Sequence, residues 1–247
     1  MTEFIVHADD FGKSAAVNEA IDECFRNQWI SETSLMVNMP SCMDAVIKAR
    51  KNGYEQFVGL HLNLTEGRPL TSEIREIPIF CSQDGFFNKK FQRLARSRFF
   101  ISHEERAAVR KELYAQMSRF LDIGGLARRI DSHHHIHTYW PFFRVVSPIA
   151  LTLGFTSMRI SADMHNVRWD RRLYKFFLNN RIRKTFETRT HFDGVNTRVL
   201  NDPGGVVEVM VHPLWNGNVL CDTNIPFSQQ VLKLRNAPNS KICQVCQ

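Results

Sequence analysis

Apolar and polar positions alternate along the chain in two kinds of run. Short apolar runs that end in polar residues recur six times: "EFIVHAD", "TSLMVN", "FVGLHLNL", "RRIDSH", "TSMRIS" and "GVVEVMVH". Each reads as a buried strand. Segments with helical periodicity lie between them. "AAVNEAIDECFRNQ" follows a Ser14 cap, and "CMDAVIKARKNG" follows Ser41 and closes on Gly53. A capping box, Ser102 with Glu105, opens a long helix that closes near Gly124-Gly125, and Pro141 opens another that runs to Gly154. Strand-helix alternation of this kind predicts a parallel sheet with crossover helices, closed as a barrel or doubly wound. The stretch 66–101 breaks the pattern. It carries turn signals at Arg68-Pro69 and Asp84-Gly85 and six phenylalanines, Phe80, Phe86, Phe87, Phe91, Phe99 and Phe100. So many aromatics are expected to cover something, as a lid over the sheet's mouth or as a subunit contact.

The 247 residues are 43 % hydrophobic, enough for one sizeable core, and neither a linker nor a repeat divides them. A single domain over 1–247 is expected, with an insertion at about 66–101 and a flexible C-terminal tail. The opening "MTEFIVHADDFG" turns polar too early for a signal peptide, and no run reaches the ~18 apolar residues of a membrane span. A cytoplasmic protein is the expectation. The six cysteines are scattered, so reduced thiols are expected, with the C-x-x-C of Cys243 and Cys246 in the tail. The net charge is +7, and the basic excess sits in Phe87–Phe100 and Arg168–Lys184, both interleaved with aromatics. Such segments can grip nucleic acid. An amphipathic helix with its apolar face inward and its basic face in water is the preferred expectation for each, with no nucleic-acid partner.

Chemistry-bearing residues gather at the C-terminal ends of the strands: Asp9 and Asp10, then Asn38, then His61 and Asn63, then a histidine cluster, then His212. That edge hosts the chemistry in parallel α/β architectures. The cluster is "DSHHHIH", four histidines in five positions. On an extended strand Asp131, His133, His135 and His137 would share one face, with His134 on the other. Imidazole is the commonest side-chain metal ligand, so the constellation points to a metal centre. Spacing alone leaves His133 and His135 as alternatives. Asp131 and His135 are candidates for orienting a ligand, and Asn38, Asn63 and Arg159 for binding substrate.

Five motifs in order, "ADDFG", "TSLMVNMP", "GLHLNLTEGRPL", "DSHHHIH" and "VEVMVHP", make the chain resemble the YdjC-like family, which includes chitooligosaccharide deacetylases. The resemblance implies a distorted TIM-like (β/α) barrel with mostly parallel strands and the active site at their C-terminal ends. It implies a hydrolase that uses one divalent metal ion to remove acetyl groups from N-acetylated sugars or oligosaccharides. By resemblance Asp10, His61 and His133 are the metal ligands, Asp9 the catalytic base and His212 an acid or oxyanion stabiliser. Magnesium is the ion the family suggests; two imidazoles and a carboxylate suit zinc better. The chain departs from the family pattern at His7, at Arg129 and in "HPLWNGN". Two competing functions are a metal phosphoesterase, recruiting His135, His137 and Asp131 to a second ion, and a non-enzymatic binding module. A homodimer is the one protein partnership suggested.

Overall fold

The computed structural model describes residues 1–162, 168–195, 199–201 and 203–243. In chain order the elements are β1 (Thr2–Phe11), α1 (Ala15–Arg26), β2 (Glu32–Leu35), α2 (Cys42–Lys51), β3 (Val58–Leu62), the short α3 (Ser72–Arg75) and α4 (Lys90–Arg93), α5 (His103–Asp122), β4 (Arg129–Ser132), α6 (Trp140–Thr152), β5 (Ser157–Met158), α7 (Trp169–Thr185), β6 (His191–Asp193) and β7 (Gly205–Val211). A meander of β8 (Pro213–Asn216), β9 (Val219–Asp222) and β10 (Ile225–Pro226) follows, then α8 (Phe227–Arg235) and β11 (Ser240–Ile242).

The large sheet is parallel throughout, in the order β5-β4-β3-β2-β1-β7-β6, with β11 beside the start of β1. Its two edges meet through one parallel bridge, Ser157 to Glu187, where Met158 N–H donates to Glu187 O at 3.1 Å and Glu187 N–H donates to Thr156 O at 2.9 Å. The sheet is therefore a curled, distorted barrel. The tail is tied in as far as Cys243, whose N–H donates to Phe4 O; Cys246 lies outside the described residues.

Local signals explain most element ends. Ser14 Oγ accepts from Val17 N–H, and both halves of the Ser102–Glu105 capping box form. Ser41 makes no side-chain cap; its carbonyl instead accepts from Asn18 Nδ2 at 2.9 Å, tying α2 to α1. Period two divides the strands cleanly. Phe4, Val6 and Ala8 of β1 join Val207, Val209 and Val211 of β7 in the apolar core under the helices. The alternate positions carry His7, Asp9 and Glu208, all buried. The barrel interior is consequently lined by ionisable groups rather than by branched apolar ones.

The insertion makes a satellite core. Phe80 and Phe91 are buried against α6, with ring centroids 5.2 Å apart and 6.2 Å and 5.3 Å from Phe142. Phe87 is buried too, while Phe86, Phe99 and Phe100 stay exposed. The second basic segment is the expected helix with its basic side chains outward, but most of its large apolar residues are outward too. Of the large apolar residues of α7, only Leu178 and Ile182 face inward, and Trp169, Leu173, Phe176 and Phe177 face solvent.

Phe91→Ala should destabilise the chain by about 3–5 kcal/mol, because a fully buried ring at the centre of this satellite core leaves a cavity. Urea unfolding measures it. A loss under about 0.5 kcal/mol would mean the insertion packs independently of the barrel.

Candidate metal centre

The site begins where β1 ends. Asp10 has φ 71° and Gly12 φ 88°, and the pairing of β1 with β2 slips between Ala8 and Phe11. This bulge re-aims the chain, so two adjacent carboxylates reach different partners. Asp10 Oδ1 lies 2.7 Å from His133 Nδ1 and 3.3 Å from His61 Nε2. Asp10 Oδ1, His61 Nε2 and His133 Nε2 are nonetheless buried without a hydrogen-bond partner. One ligand atom from each of the three residues fits within 4.8 Å of the others. A buried carboxylate and two imidazoles gathered this closely, with Asp10 Oδ1 and His61 Nε2 unpartnered, fit a metal ion.

His61 is oriented from behind. Its partner in the β3–β4 register is Asp131, and His61 Nδ1 donates to Asp131 Oδ1 at 2.7 Å. That bond turns Nε2 towards Asp10. Ser34 Oγ donates to Asp131 Oδ2 at 3.0 Å and lies 3.0 Å from His7 Nε2. Burial disfavours a charged His61, but Asp131, Asp10 and Asp9 outweigh it and carry its pKa up to about 10. The same negative field favours a bound cation. Burial and the Arg159 charge act to lower the pKa of His7, and Asp131 and Glu32 raise it further than they lower it.

The histidine cluster does not continue β4. The strand stops at Ser132, and 133–138 form a tight 3₁₀ turn with His134 (φ 52°) and His135 (φ 54°) left-handed. The shared-face arrangement expected of an extended strand is therefore replaced by four separate environments. His133 meets Asp10. His134 packs against the His133 ring at 4.0 Å and bonds Thr65 Oγ1 at 3.0 Å. His135 sits 5.6 Å from the Phe192 ring, where burial, with help from Arg159, lowers its pKa to about 4. His137 is pinned between Ser132 Oγ and Arg159 O.

Asp9 is held on both oxygens by Arg159, from Nη1 at 2.8 Å and Nη2 at 2.7 Å. Burial pushes its pKa up and Arg159 pulls it further down, below the usual carboxylate range. Arg159, expected at the substrate, is 1 % exposed and committed elsewhere: Nη2 lies 2.7 Å from Asp131 Oδ2, Nε donates to Glu208 Oε1 at 2.6 Å, and Phe192 covers a face at 4.7 Å. Asn38 and Asn63 are committed as well. Asn63 Oδ1 accepts from Thr65 and Glu66 N–H, Asn63 Nδ2 donates to Asn38 Oδ1, and Asn38 Nδ2 donates to Glu66 O and Arg68 O. They shape the turn that carries Glu66. His212 follows Val211, the partner of Ala8, so it ends β7 beside Asp9; its N–H donates to Asp222 Oδ1 at 3.1 Å.

Four further residues, two of them inside the quoted motifs, take part without having been singled out by the sequence pattern. Glu66 Oε1 lies 3.3 Å from His133 Nε2. Lys13 Nζ bridges Asp10 Oδ2 (3.1 Å) and Glu66 Oε2 (3.0 Å), and Lys89 pairs with Glu66 at 3.1 Å. Glu208 had a detectable signal: it is the one charge inside the apolar run "VVEVMV", and an acid is almost never buried unless paired.

A curled parallel barrel with an aspartate and two histidines converging at its C-terminal rim defines an α/β protein with a candidate divalent-metal site. The chain belongs to the family described as YdjC-like protein, whose model matches residues 3–235. A carbohydrate deacetylase of Clostridium beijerinckii is 28 % identical over 245 residues, covering 97 % of this chain and 93 % of that one. One of Geobacillus stearothermophilus is 38 % identical over 146 residues, 59 % of this chain and 55 % of the relative, so that match spans little more than half the relative's length. A crystal structure from Enterococcus faecalis, named as a candidate cellobiose-phosphate cleavage protein, shares the fold with a TM-score of 0.68 at 20 % identity, over 87 % of this chain and 82 % of that one.

Acid stability follows from the interior pairs. Burial opposes ionisation of Glu32, but Arg129 and His7 hold its pKa at about 2 against an ordinary 4.5. A depressed folded-state pKa adds stability above the unfolded value, and that stability is lost as pH falls towards the folded one. The urea midpoint should therefore drop between about pH 4.5 and pH 2. Glu32→Gln should show a lower midpoint at neutral pH and a shallower drop; an identical pH slope in the variant would remove Glu32 from the account.

Proposed function

We propose that this chain is a divalent-metal hydrolase that removes acetyl groups from N-acetylated sugars or oligosaccharides. The observation that carries it is the gathering of Asp10, His61 and His133 at the strand ends, with one ligand atom of each within 4.8 Å of the others. Three protein ligands leave coordination positions open, as catalytic sites require. The relatives named carbohydrate deacetylase supply the substrate class.

A bound cation at this point supplies polarisation of the acetyl carbonyl and a lowered pKa for water. The chain's residues do the rest. Asp9 accepts the water's proton: each carboxylate oxygen has a lone pair beyond its bond to Arg159. Arg159 keeps Asp9 ionised and fixes its plane. Asp131 holds the His61 tautomer. His212, at the rim beside Asp9, donates to the departing amine. Asn38 and Asn63 act through the turn that presents Glu66 rather than on the sugar directly.

The two-ion phosphoesterase has less support. Asp131 and His137, which a second ion would need, are occupied by hydrogen bonds, and Lys13 and Lys89 already neutralise Glu66. The donor set favours zinc over the magnesium that the resemblance suggests. A cytoplasmic setting suits the five described cysteines, all unpaired; no described helix is long and apolar enough to cross a membrane.

His61→Ala and His133→Ala should each lose most bound metal by elemental analysis, which also identifies the ion. Full occupancy in His133→Ala would move that ligand elsewhere. Asp9→Asn should keep its metal yet release acetate from N-acetylglucosamine oligomers about 10²–10⁴-fold more slowly. Metal loss in that variant would make both aspartates ligands and leave the base unassigned.

A further inference from the structure

The outward face of α7 has no partner among the described residues. Trp169, Leu173, Phe176 and Phe177 recur at i, i+4, i+7 and i+8, one stripe of a helix, and are 77, 49, 50 and 63 % exposed. Phe99, 64 % exposed, extends the stripe through its contact with the Tyr174 ring at 5.4 Å. The helix is firmly seated from behind. Leu178 and Ile182 are buried, and Tyr174 Oη donates to Thr138 O and accepts from Trp140 N–H, each at 2.8 Å. The stripe is thus a fixed projection of the surface rather than a core face left open.

Its charge is as uneven as its polarity. Residues 168–184 hold seven basic side chains against one acid, Asp170, a net +6 that leaves the remainder of the chain near neutral at +1. At 100° per residue, Arg172 and Arg183 flank Phe176 on one side of the stripe and Arg181 flanks Phe177 on the other; all three are exposed.

We infer that α7 is a docking element for an anionic lipid bilayer. An apolar apex of Trp, Leu and Phe between rows of arginine is the arrangement of a helix lying in the membrane interface. There the rings enter the headgroup boundary and the guanidinium groups reach lipid phosphates. A second copy of the chain fits worse, since a two-fold axis through the stripe sets a +6 helix against itself. The four exposed apolar side chains of α7 line none of the described cavities; the small one beside Phe99 is walled by Arg106, Trp140, Pro141, Arg144 and Val145. Because Tyr174 joins α7 to the end of the turn that carries His133, docking would bring the rim of the barrel close to the surface.

Flotation of the full chain with vesicles tests this. The chain should float with vesicles of phosphatidylcholine mixed with phosphatidylglycerol, should not float with phosphatidylcholine alone, and should be released by salt. Phe176→Ser with Phe177→Ser should weaken partitioning about tenfold or more, and so should Arg172→Gln with Arg181→Gln, which spares the bond from Arg183 to Thr190 O. Both double variants should keep wild-type metal content, melting temperature and acetate release from a soluble substrate. Failure to float, equal affinity for neutral vesicles, or undiminished binding by both variants would overturn the proposal. A wild-type dimer that the phenylalanine variant dissociates on sedimentation would also overturn it, by making a second copy the occupant.

Discussion

The guanidinium of Arg159 is the interaction on which the rest of this barrel depends. A fully buried cation is tolerable only if every donor is matched. Here the matches come from three different strands: Asp9 on β1, Asp131 on β4 and Glu208 on β7. Arg159 follows directly on β5, the shortest strand of the large sheet, which meets the opposite edge through a single backbone bridge. The sheet's weak seam is therefore held from inside by charge. Removing the cation would leave three buried carboxylates without it, a loss of about 3–5 kcal/mol on the scale of broken buried pairs.

The same group couples the two halves of the site. One Nη2 lies 2.7 Å from both Asp9 Oδ1 and Asp131 Oδ2. Asp9 is the candidate base, and Asp131 sets the tautomer of His61. A displacement of the guanidinium would disturb proton acceptance and ligand orientation together. Glu208 in turn fixes Arg159, and Arg129 pairs with both Glu208 and Glu32. The interior is one connected charge network from the strand starts to the rim that carries the candidate site, which gives the rim rigidity without a conventional apolar barrel core.

Around this frame the long insertion and the turn after β3 serve position. Asn63 and Asn38 shape the turn that sets Glu66 beside His133, and Lys13 and Lys89 balance its charge. Phe80 and Phe91 anchor the insertion on α6. Asn38 and Asn63, which look like substrate contacts in isolation, hold the backbone of the turn that carries Glu66.

Several features were determined by the sequence alone, because they depend on short-range physics. Apolar runs of strand length between helical periods dictate the parallel α/β sheet, and the Ser102–Glu105 pair dictates a helix start. Polar residues at successive strand ends mark one edge of the sheet as chemical, and Asp10, His61 and His133 do converge there. Tertiary structure decided what depends on distant neighbours. The histidine run reads as a strand by periodicity, but β4 stops at Ser132 and left-handed backbone at His134 and His135 sends each ring to a different environment. Arg159 reads as a strand-end cation suited to a substrate; only folding brings Asp9, Asp131 and Glu208, up to 150 residues away in the chain, around its guanidinium. The period of α7 shows two apolar faces and cannot say which is buried; packing chose Leu178 and Ile182, and left the aromatic stripe in water.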